Sequence, residues 1–184
     1  GGRMPSRIEG YDISNISGMS AVGSMVVFEN GEPKKSEYRK FKIRTVSGIN
    51  DVAMMREVLE RRFLHFRPPL NLPLGKGEKE ERSWPLPDLI LIDGGWGQVN
   101  AAQSVVDNFV ARSQAAGGLA TKIPIVGIAK GFDRKQDQPI FQKSNRKLAR
   151  VVQNHKDLIL RVRDEAHRFA ITYHRKRMRR RFRP

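Results

Sequence analysis

Leu89-Ile90-Leu91-Ile92-Asp93-Gly94-Gly95 is the stretch on which the fold turns. Four apolar residues in succession leave no polar face, the pattern of a central strand covered by helices on both sides. The run ends in an acid followed by two glycines. In open α/β sheets the groups that act on ligands collect at the carboxyl ends of central strands, so Asp93 stands where chemistry is expected. Downstream, Val99, Ala102, Val106 and Phe109 form the inner stripe of a helix from about Gly97 to Arg112. Ile123-Pro124-Ile125-Val126-Gly127-Ile128-Ala129 then reads as a second buried strand, ending at Lys130. Strand, helix and strand together make a parallel βαβ unit.

Upstream, residues 7–14 read as a strand, with Gly10 marking a close approach. Gly23 to Phe28 is the next strand, and Asn30-Gly31 is a strong hairpin signal because both residues tolerate positive φ. A third strand is expected from about Lys35 to Arg44, with Phe41 and Ile43 on one face. Asn50 or Asp51 then caps a helix to about Phe63, whose Met55, Val58, Leu59 and Phe63 recur at helical spacing. Residues 64–87 are proline-rich with a charged Gly75–Arg82 stretch, a long loop expected to be poorly ordered around 74–83. After Lys130 comes a polar segment, 131–150, with a hairpin expected around Pro139-Ile140-Phe141. A long helix follows from near His155 to about Arg181, its buried stripe made by Leu158, Val162, Ala166, Phe169 and Tyr173. No internal repeat is present. The expected class is α/β: one domain over 1–184 with a central mixed five-stranded sheet flanked by helices, an antiparallel three-strand meander joined to the parallel βαβ half.

Composition narrows the partners. Thirty-five Lys+Arg against 19 Asp+Glu give a net charge of +16 in 184 residues. Such a field attracts phosphate backbones. An anionic membrane surface would also suit it, but no Lys-rich amphipathic helix with a Trp/Leu face is evident. The apolar runs fall far short of the about 20 residues a bilayer span needs, and Gly1-Gly2-Arg3-Met4-Pro5 lacks a secretory apolar stretch. With no cysteine, disulfide frameworks and thiolate-held zinc are excluded. A soluble, cytoplasmic, monomeric protein that binds nucleic acid is expected.

Asp12 closes the first strand as Asp93 closes the apolar one. If those strands are parallel neighbours, the two carboxylates face each other, and such a pair repels unless a cation lies between them. Taken alone, either acid reads equally as a turn or cap residue. His167 falls roughly 115° from the centre of the last helix's apolar stripe, on a flank with Arg163 and His174; spacing leaves it open between a ligand and a half-exposed histidine beside Glu165. Asp51 is a helix cap by default, with a distal metal ligand or a DNA-side acid as alternatives. Lys130 suits a phosphate contact or a solvated strand end. Gly94-Gly95-Trp96-Gly97 before a helix suggests a phosphate loop, but the Gly-x-x-x-x-Gly-Lys-Ser/Thr pattern is missing. Arg175, Lys176, Arg177, Arg179 and Arg180 lie in a basic tail, 175–184, that favours DNA backbone contact over a merely solvated face.

Six segments together resemble one family. They are Ile8-Glu9-Gly10-Tyr11-Asp12-Ile13-Ser14-Asn15, Gly23 to Phe28, Tyr38-Arg39-Lys40-Phe41, Asp51 to Arg62, Asp88 to Gly95 with Gln98, and Arg163-Asp164-Glu165-Ala166-His167-Arg168-Phe169. In this order they are similar to the C-terminal endonuclease domain of UvrC, the nuclease subunit of bacterial nucleotide excision repair. The resemblance implies an RNase H-like fold with a metal site formed by Asp12, Asp93 and His167, and Asp51 as a further important acid. It implies Mg²⁺ or Mn²⁺ as the metal, damaged double-stranded DNA as substrate, incision 5′ to the lesion, and UvrB as partner with UvrA upstream. Asn50-Asp51 stands where the family often has paired acids, so only the second carries over. Neither the family's GIY-YIG half nor its helix-hairpin-helix module falls within these residues, which suggests a domain fragment or a truncated form. The alternatives are a non-catalytic scaffold of the same fold that binds DNA or a partner, and a nucleotide-binding α/β protein.

Overall fold

A computed structural model describes residues 3–15, 21–66, 84–118, 120–130, 137–141 and 145–181, with side chains throughout except those of Lys130, Asp137, Gln138 and 173–181. The expected disorder around 74–83 lies outside the described residues.

Strands β1 (Arg7–Ser14) and β2 (Val22–Glu29) pair antiparallel from Arg7 opposite Glu29 to Ser14 opposite Val22. Asn30 (φ 51°) and Gly31 (φ 85°) make the tight turn, and Glu29 meets Glu32 across it. The third strand expected over Lys35 to Arg44 is shortened to its middle, and a separate two-residue strand precedes it. β3 is only Glu32–Pro33, a 3₁₀ turn covers Lys35–Glu37, and β4 (Arg39–Lys42) then pairs β2. The break has a charge-pairing cause: Lys34 reaches Glu29 and Glu37, both at 2.8 Å, and Glu37 reaches Arg7 at 2.7 Å, which favours a turn over an extended run.

Helix α1 (Asp51–Leu64) leads to β5 (Leu89–Asp93), helix α2 (Trp96–Ala115) to β6 (Ile125–Lys130), and β7 (Asp137–Ile140) returns antiparallel to β6. The hairpin expected near Pro139 is therefore the β6–β7 pair. Helix α3 (Arg146–Asn154), read from sequence as part of a polar segment, precedes α4 (Lys156–Arg181). His155, at φ −123° and ψ 30°, leaves helical geometry and separates them.

The expected five strands become seven among the described residues, in the order β3-β2-β1-β5-β6-β7 with β4 also on β2. β5 is parallel to both β1 and β6, which places it at the centre as its double apolar face requires. Its odd and even residues serve two separate cores. Ile90 and Ile92 pack with Met55, Val58, Leu59 and Val106 of α1 and α2, whereas Leu89 and Leu91 pack with Val152, Ile159, Val162 and Ala166 of α3 and α4. All four strand residues are at most 1% exposed, and each contributes about 1.5–3 kcal/mol of hydrophobic burial. The result is three layers, α1/α2, sheet and α3/α4. No helix among the described residues is long and apolar enough to cross a membrane.

One polar group interrupts the α1 face. Glu9 of β1 and Arg62 of α1 are fully buried and paired (Nη2–Oε1 2.8 Å, Nε–Oε2 2.9 Å). Glu9 also accepts from the Tyr11 hydroxyl at 2.7 Å and from the Arg7 guanidinium at 3.2 Å. Burial, followed by the adjacent Glu9 carboxylate, pushes the Tyr11 phenol well above its ordinary range.

Candidate metal centre

Parallel pairing of β1 and β5 runs from Ile8 opposite Leu89 to Tyr11 opposite Ile92. One residue further along each strand come Asp12 and Asp93. Asp12 alternates with Tyr11 and so faces the α4 side, as Ile8 and Gly10 do. The two acids have side chains only 10% and 14% exposed, at the carboxyl ends of neighbouring parallel strands. The topology thus supplies what the sequence reading had made conditional.

Asp93 is set by the turn that follows it. Gly94 N–H donates to the Ile128 carbonyl at 3.1 Å, and Gly95 N–H donates to the Gln98 side chain at 3.1 Å, which ties the start of α2 back on itself. A Cβ on Gly94 would stand 1.8 Å from Gln98 Oε1, so any side chain there would displace this tie.

His167 arrives from α4, which crosses the strand ends at close quarters. Ala166 is fully buried against the sheet. The Ser24 hydroxyl of β2 lies 3.3 Å from the Asp12 carbonyl and 3.4 Å from that of Ala166, joining strand and helix beside the site. His167 Nδ1 then lies 3.4 Å from Asp12 Oδ2 and 3.6 Å from Asp93 Oδ2. One ligand atom from each of the three residues falls within 4.8 Å of the others. Two carboxylates this close are mutually unfavourable without positive charge between them, and two oxygens with one imidazole nitrogen form a donor set suited to a divalent cation. The histidine is half exposed, so the group opens to solvent on its α4 side.

α4 is locked in rotation on its other flank. Tyr38 donates to Glu165 at 3.0 Å and packs edge-on against Phe169 at 5.1 Å, while Arg168 forks onto Glu165 at 2.6 and 2.7 Å. The Arg168 hydrogen bonds hold the Glu165 carboxyl below its usual range, against burial and with help from Tyr38.

The remaining sequence-predicted residues fall elsewhere. Asp51 is not the cap of α1: Asn50 Oδ1 accepts from Ala53 N–H at 3.0 Å, and Asp51 is the first helical residue. It lies outside the three-residue group, and its carboxylate accepts from Asn15, which follows β1. Lys130 ends β6, two residues beyond the Ile128 that faces Asp93 in register. Arg163, one helical turn before His167, is held by Asp164 at 2.7 Å. Arg175, Lys176, Arg177, Arg179 and Arg180 continue α4, and their side chains lie outside the described residues. Ser24 was missed by sequence reasoning, because a lone serine in a buried strand carries no signal until the helix above it is known.

Residues 2–171 match the family model described as the UvrC RNAse H endonuclease domain. Among curated proteins, the UvrABC system protein C of Clostridium acetobutylicum is 45% identical over 181 residues, covering 94% of this chain and 26% of that protein. The protein of the same name from Methanococcoides burtonii is 45% identical over 180 residues, covering 95% and 25%. The chain therefore spans about a quarter of the length of these relatives. Solved structures that superpose on it include human ENDOV, 17% identical with TM-score 0.40 over 69% of this chain and 46% of that one. They also include the Neurospora crassa QDE-2 MID-PIWI domains, 16% identical with TM-score 0.43 over 95% and 50%.

Proposed function

This chain belongs to the UvrC RNase H endonuclease domain family, and from that premise we propose that it is a metal-dependent DNA endonuclease domain. It hydrolyses a phosphodiester 5′ to a lesion during excision repair, in the cytoplasm, with UvrB as partner and UvrA acting upstream. The observation that carries this reading is the convergence of Asp12, Asp93 and His167 from three separate elements.

Asp12 and Asp93 would hold Mg²⁺ or Mn²⁺ from the sheet side, and His167 would close the group from α4. The ion, when bound, supplies Lewis-acid chemistry at the phosphate and for the attacking water. The protein's share is positional. β1 and β5 fix the two carboxylates through parallel register, and the Ser24 and Tyr38–Glu165 contacts fix the helix that presents the imidazole. Asp51, one residue inside α1, serves as a supporting acid near the strand ends. The net charge of +16 supplies the attraction for the substrate backbone, with Lys130, Arg163 and the basic end of α4 as the proposed contacts.

The test is nicking of supercoiled DNA by this chain in Mn²⁺ against EDTA, alone and with UvrB. Asp12→Asn should abolish the nick while retaining salt-sensitive DNA binding. If the variant still nicks in Mn²⁺, the site assignment is wrong. Binding without any metal-dependent nicking by the native chain, even with its partner, would favour the non-catalytic scaffold.

A further inference from the structure

A cleft of about 430 Å³ lies between α2 and the start of α3. That is within the roughly 300–1,000 Å³ range of small-ligand sites. One wall is a single face of α2: Trp96, Asn100 and Gln103 recur at the i, i+4, i+7 spacing that aligns side chains along a helix. The facing wall carries Lys122, Arg146 and Lys147, and among the described residues no acidic one lines the cleft. All three cations are exposed, and none is in an ion pair among the described residues.

The two tryptophans of the chain are used differently. Trp84 is stacked on His65 at 4.3 Å and covered by the guanidinium groups of Arg39 and Arg62 at 5.1 and 5.6 Å. Trp96 is 49% exposed and is one of the residues that line the cleft. An aromatic residue in a groove whose described formal charges are all positive matches the two parts of a nucleotide: a base with a π-face and an anionic phosphate. Location agrees. Trp96 follows Asp93 by three residues, so their Cα atoms are at most about 11 Å apart.

We propose that this cleft binds an unpaired stretch of the DNA strand being cut, with a base stacked on Trp96 and its phosphates on Lys122, Arg146 and Lys147. An unpaired strand is the fitting occupant because duplex bases are covered by their neighbours and offer an indole no free face. The inference rests on the nuclease reading for the identity of the strand. Its test does not use cleavage.

The chain is titrated in EDTA with a twelve-residue thymidine oligonucleotide while tryptophan emission is followed, with heparin and a twelve-base-pair duplex as comparison polyanions. Native emission should be quenched on oligonucleotide binding. Trp96→Phe should remove the quenching, since only Trp84 then emits, while keeping affinity within about three-fold. Trp96→Ala should weaken single-strand binding about ten-fold or more and leave heparin and duplex binding within about two-fold. Arg146→Glu with Lys147→Glu should weaken oligonucleotide and heparin alike. If Trp96→Ala binds the oligonucleotide as the native chain does, or loses all three polyanions equally, the proposal fails. Should Trp96→Ala unfold at a lower temperature, the emission change of Trp96→Phe decides the question. Because no metal is present, a domain that never nicks DNA can still pass or fail this test.

Discussion

Gly10 faces Val162 so closely that a Cβ built on the glycine would lie 2.6 Å from Val162 Cγ1 and 3.0 Å from Val26 Cγ2. This contact sets how near α4 can come to β1. His167 follows Val162 by five residues on the same helix, so the spacing at Gly10 is passed on to the imidazole beside Asp12. Gly10→Ala should force α4 outward at an overpacking cost of about 1–3 kcal/mol, and displace His167 from the two carboxylates. Nicking should fall by more than ten-fold in a variant that still unfolds cooperatively. Native activity in Gly10→Ala would show that the helix height is not what holds the site.

Glu9 and Arg62 answer a different question, namely what a buried ion pair contributes. Each is fully buried, and Arg62 also donates to the Pro85 carbonyl. Glu9→Leu alone should cost about 3–5 kcal/mol, because it strands a buried guanidinium. Glu9→Leu with Arg62→Met should recover most of that loss, since neither charge is then left uncompensated. Urea unfolding of the two singles and the double measures the coupling directly. A double variant no more stable than the worse single would mean that the pair is needed for more than mutual compensation.

Much of the fold could be read before any coordinates, and the reasons are local. Leu89 to Ile92 is apolar on both faces, Asn30-Gly31 is a turn by conformation, and Asp12 and Asp93 end their strands in plain view. What could not be read depends on partners distant in sequence. Glu9 has as its buried partner Arg62 of α1, 53 residues away, and nothing local in the sequence joins the two. α3 buries only Leu148 and Val152, too thin a stripe to stand out among basic residues, although Asn145, which caps it through Leu148 N–H at 3.0 Å, was a usable start signal. The third strand was overextended because the ion pairs that fold Lys35–Glu37 into a turn join residues of separate strands. His167 stayed undecided on spacing alone because helical phase gives a flank but not what the flank overlooks.

Acid should destabilise the domain partly through Glu57. Its carboxylate accepts from the amides of Arg44 (2.9 and 3.2 Å) and Thr45 (3.0 Å), from the Thr45 hydroxyl (2.7 Å) and from Arg61 (3.2 Å). Burial pushes this carboxyl up, but the hydrogen bonds from Thr45, Arg44 and Arg61 outweigh it and leave it below the ordinary range. A folded-state value lower than the unfolded one means stability that is fully present above the unfolded value, about 4.3, and lost as pH falls through the folded value. Unfolding free energy from urea titrations should therefore drop between neutral pH and pH 3, and Glu57→Gln should make that drop shallower. At neutral pH the substitution should cost about 1–3 kcal/mol. Glu37 and Glu165 are also lowered, so some slope will persist. A slope identical to that of the native chain would remove Glu57 from the account.

Metal should be felt as stability even where cutting is not measured. A ligand that binds only the folded state stabilises it by about 2.7 kcal/mol at one hundred times its Kd, which for a domain of this size is a rise of roughly 5–10 °C in Tm. Mn²⁺ should raise Tm for the native chain, and EDTA should reverse the rise. Asp12→Asn and Asp93→Asn should each remove most of the shift, since each takes away a carboxylate from a group whose ligand atoms lie within 4.8 Å. In the absence of metal the same substitutions should leave Tm unchanged or slightly raised, because they relieve the repulsion between two neighbouring acids. That pair of opposite effects is specific to a metal site. A buried structural pair would lose stability on substitution whether or not Mn²⁺ were present, and that outcome would remove the basis for a cation between β1, β5 and α4.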